Sequence, residues 1–438
     1  MSLAALGLLL ALSRGAAAPA VSSLQARLDA AAPGARIEVG PGVYAGDLHI
    51  DRPVTLVGRG RPLLLGSGAG TVVSIRADGV VLEGFDIDGR GGGDLGSDSS
   101  GVHVAARGVA VRDCRIFRTL FGVYLRQADG SSVERCEVRG IREKEAGEKG
   151  SGIHVWNTDG YRLSGNTITE TRDGLYLQSS PHGVITGNRA RDLRFGLHYM
   201  FSDDNRFEDN VFENAAAGAA LMYSKRIVFR RNRFLHNRGF ASVGLLLKAC
   251  DELLAESNLI ADNARGIFLE GSYHNVFRGN LVAESDTAIV LYDSCADNRF
   301  EGNSFVANLT PLSLIGRRTD TLFRGNYWSD NEEPDLDGDG RADRPHRLSS
   351  VFDHFRGNLT AADLFTQGFA AAALGIAERT FPVLEPVAVE DGAPLSRPPR
   401  LPEVPRPDAP RRAASAAGAA GSAAALLAGV GILLAGKR

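Results

Sequence analysis

Imidazole and thioether side chains recur at fixed distances from glycines in the middle of this 438-residue chain. His154 and His198 each follow a glycine by two positions, and Met200 and Met222 each follow one by four positions. Imidazole nitrogen and thioether sulfur are ligands that suit Cu(I). If these side chains share one face of the fold, the set predicts a copper site. The alternative is a partly covered surface that carries scattered apolar groups.

Aromatic and further histidine side chains occupy the same two phases relative to the repeated glycines. They are His103, Tyr124, Trp156, Tyr176, Phe268 and Tyr292. A contiguous apolar strip on a protein surface usually marks a binding face. The pattern therefore predicts a partner-binding face, and it favours partner contact over metal binding and metal binding over catalysis.

Acidic residues alternate in a short loop that also contains two glycines: Asp335, Asp337, Asp339 and Asp343. Oxygen ligands at alternate positions around a glycine turn resemble the first half of a Ca²⁺-binding loop. The twelfth position is His346 instead of the Glu that an EF-hand needs. The loop predicts a site for calcium or another hard cation, and the alternative is a turn held by its own side-chain hydrogen bonds.

The same outward positions give little support for catalysis. A hydrolase or lyase would need paired carboxylates, or an Asp/Arg cluster, on one exposed strand face. The two outward columns contain one acid, Glu270, and no second acid beside it. We therefore predict no catalytic residues and a protein that is not an enzyme.

A repeat of about 22 residues positions all of these side chains. Each unit opens on Gly, alternates apolar and polar residues, and closes on the same phase, which is occupied by Cys114, Cys136, Asn166, Asn188, Asn210, Asn232, Asn258, Asn280, Asn303 and Asn326. Alternation with period two indicates strands, and this repeat length is typical of a solenoid. The prediction is an all-β fold, a right-handed parallel β-helix of roughly 13 coils, in which the in-phase Asn side chains form a hydrogen-bonded ladder. Insertions at 89–100, 142–150 and 238–243 interrupt the rhythm and are candidate contact loops.

Composition limits the classes of partner and the redox chemistry. Lys and Arg number 49 against 52 Asp and Glu, a net charge of −3, so no nucleic-acid partner is indicated. Four cysteines are too few for a disulfide scaffold. Cys114 and Cys136 fall on adjacent coils, where they either bond or pack as small apolar residues, and packing is favoured.

The two ends of the chain differ in composition from the repeats. Residues 1–18 resemble a secretory signal peptide, although no basic residue precedes the apolar run. We assign 19–360 to the β-helix, with a capping helix over 24–31, and 361–390 to a C-terminal capping helix and tail. Residues 391–412 form a Pro-rich linker, and 413–438 are apolar and long enough for a transmembrane anchor. A disordered Ala/Gly tail is the alternative for 413–438.

Three stretches together resemble the NosD family of periplasmic maturation proteins. They are 41–58, 325–345 and 377–384, and the resemblance covers about residues 22–395. It implies a non-catalytic, copper-binding role in assembling the copper–sulfide centre of nitrous oxide reductase. The implied partners are an ABC-type ATPase (NosF), its membrane subunit (NosY), the reductase itself and the copper chaperone NosL. The family motif implies no particular copper ligands.

The resemblance and the export features predict a periplasmic location, with tethering to the inner membrane through the tail. The alternative function is a secreted polysaccharide-binding or polysaccharide-cleaving β-helix protein, because many such proteins share this repeat.

Overall fold

Strands wind through thirteen successive coils to form a right-handed parallel β-helix, as the repeat predicts. The computed structural model describes residues 23–239, 241–316, 318–348 and 389–406. Each coil contributes strands to three sheets that run the length of the rod. Pairing between coils is parallel and in register, so each repeat position stacks on its equivalent, as in Leu163↔Ile185 and Ile185↔Phe207.

The strands of the first sheet are Arg36–Val39, Thr55–Gly58, Val81–Glu83, Ala110–Arg112, Ser132–Glu134, Arg162–Ser164, Val184–Thr186, Arg206–Glu208, Val228–Arg230, Leu254–Glu256, Val276–Arg278, Arg299–Glu301, Leu322–Arg324 and Glu390–Asp391, with His346–Arg347 antiparallel at its end. Those of the second sheet are Val43–Ala45, Leu63–Leu65, Asp86–Asp88, Arg115–Phe117, Glu137–Arg139, Thr167–Thr169, Arg233–Leu235, Leu259–Ala261, Leu281–Ala283, Ser304–Val306 and Tyr327–Trp328. Those of the third sheet are Leu48–Ile50, Val73–Ile75, Ser100–Val104, Phe121–Arg126, Ser151–Trp156, Asp173–Gln178, Val243–Asp251, Arg265–Glu270, Thr287–Tyr292 and Thr310–Ile315. Two long strands, Arg189–Met200 and Val211–Lys225, serve both the second and the third sheet.

The asparagine ladder is present over its whole predicted length. Asn188 donates from its backbone N and from Nδ2 to Asn210 Oδ1, both at 2.9 Å, and Nδ2 also donates to the carbonyl of Leu163 at 3.0 Å. The same three bonds recur at the following rungs, and the backbone N of Cys136 donates to Asn166 Oδ1 at 2.9 Å. The predicted position of the ladder residues within the repeat is therefore correct. The ladder provides hydrogen-bond partners for polar groups that are buried inside the rod.

Stacked apolar side chains fill the interior between the three sheets. Phe207 lies over Phe229 with ring centroids 4.5 Å apart, and Phe277 lies over Phe300 at 4.4 Å. Cys114 and Cys136 are buried free thiols, so they pack as small apolar residues, which is the alternative that the sequence analysis favours. A second polar column, which the sequence analysis missed, joins coils through hydroxyl groups. The backbone N of Ser180 donates to Ser202 Oγ at 2.9 Å.

All three insertions lie at one corner of the rod, between the second and third sheets. Residues 89–99, 140–150 and a shorter segment between Leu235 and Val243 connect strands of these two sheets. Most other coils cross the corner in two or three residues, and residues 66–72 take seven. Leu95 and Ile141, from the first two insertions, pack against Phe121 and Tyr124 of the third sheet. The insertions therefore border the outer face of that sheet.

Both ends of the rod are covered by other parts of the chain. The predicted N-terminal helix spans Leu24–Asp29, and Ser23 Oγ accepts from the backbone N of Ala26 at 3.2 Å. At the other end, Asp391 is buried beside the last coil and accepts from Asn326 Nδ2 at 2.8 Å. The first residues of the predicted Pro-rich linker are thus packed, because Asp391 supplies the acceptor that the last Asn of the ladder needs.

The other predictions for the chain ends lie outside the described residues. These are the signal peptide at 1–18, the C-terminal helix within 361–379 and the transmembrane anchor at 413–438. Among the residues that the structure describes, none belongs to a helix that is long and apolar enough to cross a membrane.

Candidate ligand- and partner-binding face

The outer face of the third sheet carries the predicted His, Met and aromatic side chains in register. Tyr124 pairs with His154, His154 with Tyr176, and Tyr176 with His198 across successive coils. Met200 pairs directly with Met222. The leucines at 175, 177 and 197 between them point into the core, so the predicted division into inward and outward residues is correct at these positions. We call this outer face the aromatic strip.

The aromatic strip is far less exposed than the sequence analysis expected. Tyr124 is only 6% exposed, and Ala220 and Val290 are buried. Side chains of one column lie against each other, with His154 4.3 Å from Tyr176 and 4.4 Å from Tyr124 between ring centroids. The reason for the correction is that a coil spacing of ~4.8 Å lets outward rings cover one another.

The predicted partner residues divide into two groups along the strip. His103 contacts Tyr124 edge-on at 5.3 Å, and the guanidinium of Arg126 lies 5.1 Å from the ring of Trp156. Higher on the rod, Phe268 contacts Tyr292 at 5.4 Å. The second group continues into an apolar cluster around Leu246, so the strip extends over several coils.

A second apolar strip, on the outer face of the second sheet, is covered by the chain itself. Its buried members are Leu235, Leu259, Ala261, Leu281 and Ala283. Leu401 and Val404, in the C-terminal segment 389–406, pack onto it. The aromatic strip has no such cover from 389–406, and it is the apolar face on which we base the functional interpretation.

A close backbone approach brings an additional column to the outer face. A Cβ on Gly174 would lie 2.5 Å from the carbonyl oxygen of Gly196, so only glycine fits at this position. The preceding residue, Asp173, contacts His198 and Arg194 of the next coil. The sequence analysis counted Glu270 as the one outward acid and missed Asp173. The signal that could have found it is the set of residues that precede the repeated glycines: Ser151, Asp173 and Phe195.

His198 is held in one orientation by a buried ion pair. Its Nδ1 lies 3.1 Å from Asp173 Oδ2, and Arg194 contacts both carboxylate oxygens, from Nε at 2.8 Å and from Nη2 at 2.6 Å. Asp173 is fully buried. Burial alone would raise the pKa of Asp173, but hydrogen bonds from His198 and Arg194 outweigh it and lower this pKa to about 2. The carboxylate is therefore charged and can only accept from His198 Nδ1, and Nη2 of Arg194 lies 3.4 Å from the same nitrogen.

His154 has a different environment and lies apart from the other predicted copper ligands. The ring of Tyr176 lies between His154 and His198, 4.3 Å from the first and 4.7 Å from the second. Burial, with a further contribution from the charge of Arg172, lowers the pKa of His154 to about 3. Its Nδ1 is buried without a hydrogen-bond partner. One ion bound by both histidines would require Tyr176 to move.

His198, Met200 and Met222 fit a soft cation better as a set of three. His198 and Met200 lie on one strand and on the same side of it, and Met222 is the partner of Met200 on the next coil. The carboxylate at Nδ1 leaves Nε2 of His198 as the nitrogen with a free lone pair, and no bond from Nε2 to another described residue is found. The geometry brings three of the four predicted ligands together and leaves His154 out.

The acidic loop folds as its residue types predict. Asp335, Asp337 and Asp339 bring carboxylate oxygens within 4.8 Å of one another. The same carboxylates accept backbone hydrogen bonds, including Gly338 N to Asp335 Oδ1 at 2.8 Å. Asp343 instead accepts from the backbone N of Leu336 at 2.5 Å. The cation site stays a prediction, because the loop's own hydrogen bonds account for its shape.

The coil architecture defines the class of protein as a right-handed parallel β-helix. Two solved structures share this fold, a Family 28 exopolygalacturonase of Yersinia enterocolitica and a PL6 alginate lyase. Their TM-scores are 0.51 and 0.54, and their sequence identities are 11% and 14%. The likenesses cover 71% and 70% of this chain, and 75% and 82% of the two enzymes. At these identities the likeness concerns the fold alone.

Sequence comparison finds similarity to one family. Residues 140–333 match the family model described as "Periplasmic copper-binding protein (NosD)". A Pseudomonas aeruginosa protein named "Probable ABC transporter binding protein NosD" is 29% identical over 410 residues, 90% of this chain and 94% of that protein. A Stutzerimonas stutzeri protein of the same name is 28% identical over 378 residues, 82% and 86% of the two chains. The resemblance to NosD proteins is confirmed.

Proposed function

We propose that this chain is a non-catalytic periplasmic accessory protein that helps to assemble the copper–sulfide centre of nitrous oxide reductase. It docks the apo-enzyme or a NosL-type copper chaperone on the aromatic strip. It works with an ABC transporter, through a NosY-type membrane subunit and a NosF-type ATPase. The NosD match and the description of that family as periplasmic and copper-binding support the proposal.

The observation that carries the docking half is the continuity of the aromatic strip. Rings contact one another from His103 through Tyr124, His154 and Tyr176 to His198 over five coils of one face. Interfaces between proteins are enriched in aromatic residues and Met, and a few such residues supply most of the binding free energy. The strip provides this composition on a rigid sheet, bordered by two insertion loops that can add contacts.

Copper is cargo in this proposal, and His198, Met200 and Met222 are the residues that would hold it. An imidazole and two thioethers match the ligand preference of Cu(I). We expect them to bind it more weakly than thiolates would. His154 lies outside this set, and its ring packs between Tyr124 and Tyr176 in the aromatic strip. Calcium in the acidic loop and membrane tethering through 413–438 remain secondary proposals, tested by metal analysis of the purified protein and by membrane fractionation.

The copper half is tested by removing the three ligands together. The variant His198→Ala/Met200→Ala/Met222→Ala should lose at least about tenfold in Cu(I) affinity, measured by competition with a chromophoric Cu(I) chelator under anaerobic conditions. All three side chains are outward, so the far-UV circular dichroism should not change. A matched control replaces Val43 and Leu309, exposed apolar residues away from the strip, with Ala. An unchanged affinity in the triple variant would refute the copper site.

The assembly role is tested in cells that produce the reductase together with the ABC transporter. Loss of this protein should leave a reductase that lacks the absorption spectrum of the copper–sulfide centre, and the wild-type gene should restore it. Incubation of the purified protein with uronate and neutral polysaccharides should yield no new reducing or unsaturated ends. Release of such ends would favour the polysaccharide-cleaving alternative instead.

A further inference from the structure

Asp173 and Arg194 form a buried ion pair on the aromatic strip, and Asp173 also contacts His198. Nε of Arg172 lies farther away, 3.6 Å from Asp173 Oδ2. The side chain of Asp173 has no exposed surface, and that of Arg194 is 26% exposed. A buried charged pair usually gives little net stability, because desolvation of the two charges offsets their attraction. A network of this kind on the outer face of a sheet therefore calls for a function.

The pair controls which nitrogen of His198 is available. A carboxylate that is bonded by both fork nitrogens of a guanidinium carries its charge and can only accept hydrogen bonds. Nδ1 of His198 lies 3.1 Å from Asp173 Oδ2, which can only accept, and 3.4 Å from Nη2 of Arg194, which can only donate. The shorter contact, to the carboxylate, favours a proton on Nδ1. The lone pair is placed on Nε2, on the far side of the ring from Asp173.

Aromatic contacts fix the plane of the same ring. Tyr176 meets His198 edge-on at 4.7 Å and 82°, and Phe195 meets it at 5.1 Å and 83°. The guanidinium of Arg194 lies over the ring of Phe195 at 4.4 Å, so the residue that anchors Asp173 also holds this aromatic neighbour. Rotation of the imidazole would break contacts on two sides as well as the bond to Asp173.

We propose that Asp173 and Arg194 are positioning residues that lock His198 with its proton on Nδ1 and so present Nε2 as a preformed ligand for a soft monovalent cation. A carboxylate behind a ligating histidine is the arrangement in which outer contacts fix the tautomer and raise the basicity of the ligand. This inference rests on the copper half of the proposed function. It adds two residues that the family match does not single out and that the residue spacing did not reveal.

The test compares Asp173→Asn with His198→Ala, with Cu(I) alone as the probe. Asn would place its NH₂ group against Nε of Arg194, or against Nη2 and His198, so it loses at least one acceptor contact that Asp173 provides. Cu(I) affinity should fall by about ten- to a hundredfold in Asp173→Asn, the range found when outer contacts of metal ligands are removed. The matched control is Asp88→Asn, since Asp88 is also buried and bonded by both fork nitrogens of an arginine, Arg118, on a distant coil. Its affinity should not change.

A spectroscopic readout separates positioning from general destabilisation. In the metal-free wild type, the ¹⁵N NMR spectrum should show His198 as one tautomer with the proton on Nδ1, and Asp173→Asn should show a mixture. Arg194→Lys keeps the charge but loses the fork. It should give a smaller loss of affinity, and it replaces Asp173→Asn if that variant does not fold.

The outcomes distinguish this inference from the proposal beneath it. If His198→Ala weakens Cu(I) binding while Asp173→Asn or its substitute Arg194→Lys does not, the positioning role is refuted and the copper proposal stands. If His198→Ala itself leaves the affinity unchanged, the copper half of the proposed function fails together with the inference. A wild-type spectrum with the proton on Nε2 would also overturn the inference.

Discussion

At the scale of single residues, the aromatic strip contains two histidines that the fold treats in opposite ways. His198 has a carboxylate at 3.1 Å, whereas His154 has aromatic rings on both sides and a buried Nδ1 without a partner. The contact with Asp173 orients the ring of His198. The ring of His154 is neutral because burial removes it from water. Two residues of one type in one column therefore have different chemistry.

Acid should destabilise the protein through His154. The pKa of its imidazole is about 3 in the folded protein and 6.5 in the unfolded chain. Between these values the unfolded state binds the proton, so the free energy of unfolding falls as the pH drops below about 6.5, by at most ~1.4 kcal/mol per pH unit. Arg172, Asp173 and His198 are the ionisable groups that act on this ring.

The variant His154→Phe should remove this part of the acid sensitivity while it keeps the ring contacts with Tyr124 and Tyr176. Denaturant midpoints measured at pH 7.5 and pH 5 should differ less in the variant than in the wild type. His274→Phe, on an exposed turn, is the control and should keep the wild-type difference. Equal differences in all three proteins would show that His154 is protonated without cost.

At the scale of elements, the asparagine ladder depends on Asp391, the residue that terminates it. Five N–H groups converge on Asp391, from the backbones of Gly325, Asn326 and Ala393 and from the side chains of Asn326 and Trp328. Every group aimed at this side chain is a donor, so a residue that only accepts is needed. A carboxylate is the side chain that meets this condition.

The variant Asp391→Asn should therefore destabilise the last coil, although Asn occupies every rung from 166 to 326. Its NH₂ group would face donors, at a cost of about 1–3 kcal/mol. Hydrogen exchange should accelerate at the amides of Gly325 and Asn326, and the amide of Asn188 should be unaffected. Glu390→Gln changes the exposed neighbour and should have no effect. Unchanged exchange at Asn326 in Asp391→Asn would contradict this account.

The repeat could be predicted from the sequence because its information is local and periodic. Identical residues 22 positions apart come into register in a parallel coil, so the phase of Asn210 also predicts that of Asn232 and the outward direction of His198. Asp391 could not be predicted, because 65 residues separate it from Asn326 and it follows no period. Asp173 was missed because strict alternation with Leu175 and Leu177 places it inward, whereas its carboxylate contacts His198 on the outer face.

At the scale of the whole molecule, the C-terminal segment 389–406 distinguishes two apolar outer faces. It runs from the end of the rod, at Asp391, to the second sheet, where Leu401 and Val404 pack against the cluster that contains Leu259 and Leu281. The chain thus occupies one apolar face with its own residues. The aromatic strip on the third sheet is the face that the proposed partner would use.

Trypsin cleavage should report the release of the segment 389–406 from the second sheet. Arg400–Leu401 is a cleavable bond, whereas the bonds after Arg397 and Arg406 precede proline and resist the enzyme. The variant Leu401→Ala/Val404→Ala should lose about 1–3 kcal/mol of local packing and be cut after position 400 at least about tenfold faster. Leu309→Ala, at a residue that is 76% exposed, should be cut at the wild-type rate. Equal rates would mean that the two side chains do not hold the segment.

The asparagine ladder also has a polarity, since each Oδ1 accepts from the coil before it and each Nδ2 donates to the coil after it. An extra turn duplicated between Asn210 and Asn232 would find a matching donor on one side and a matching acceptor on the other. The rod can therefore grow or shrink by whole turns while both of its ends keep their partners. Each turn would move His198 by ~4.8 Å relative to Asp391, so the number of repeats acts as a molecular ruler that gene duplication can reset.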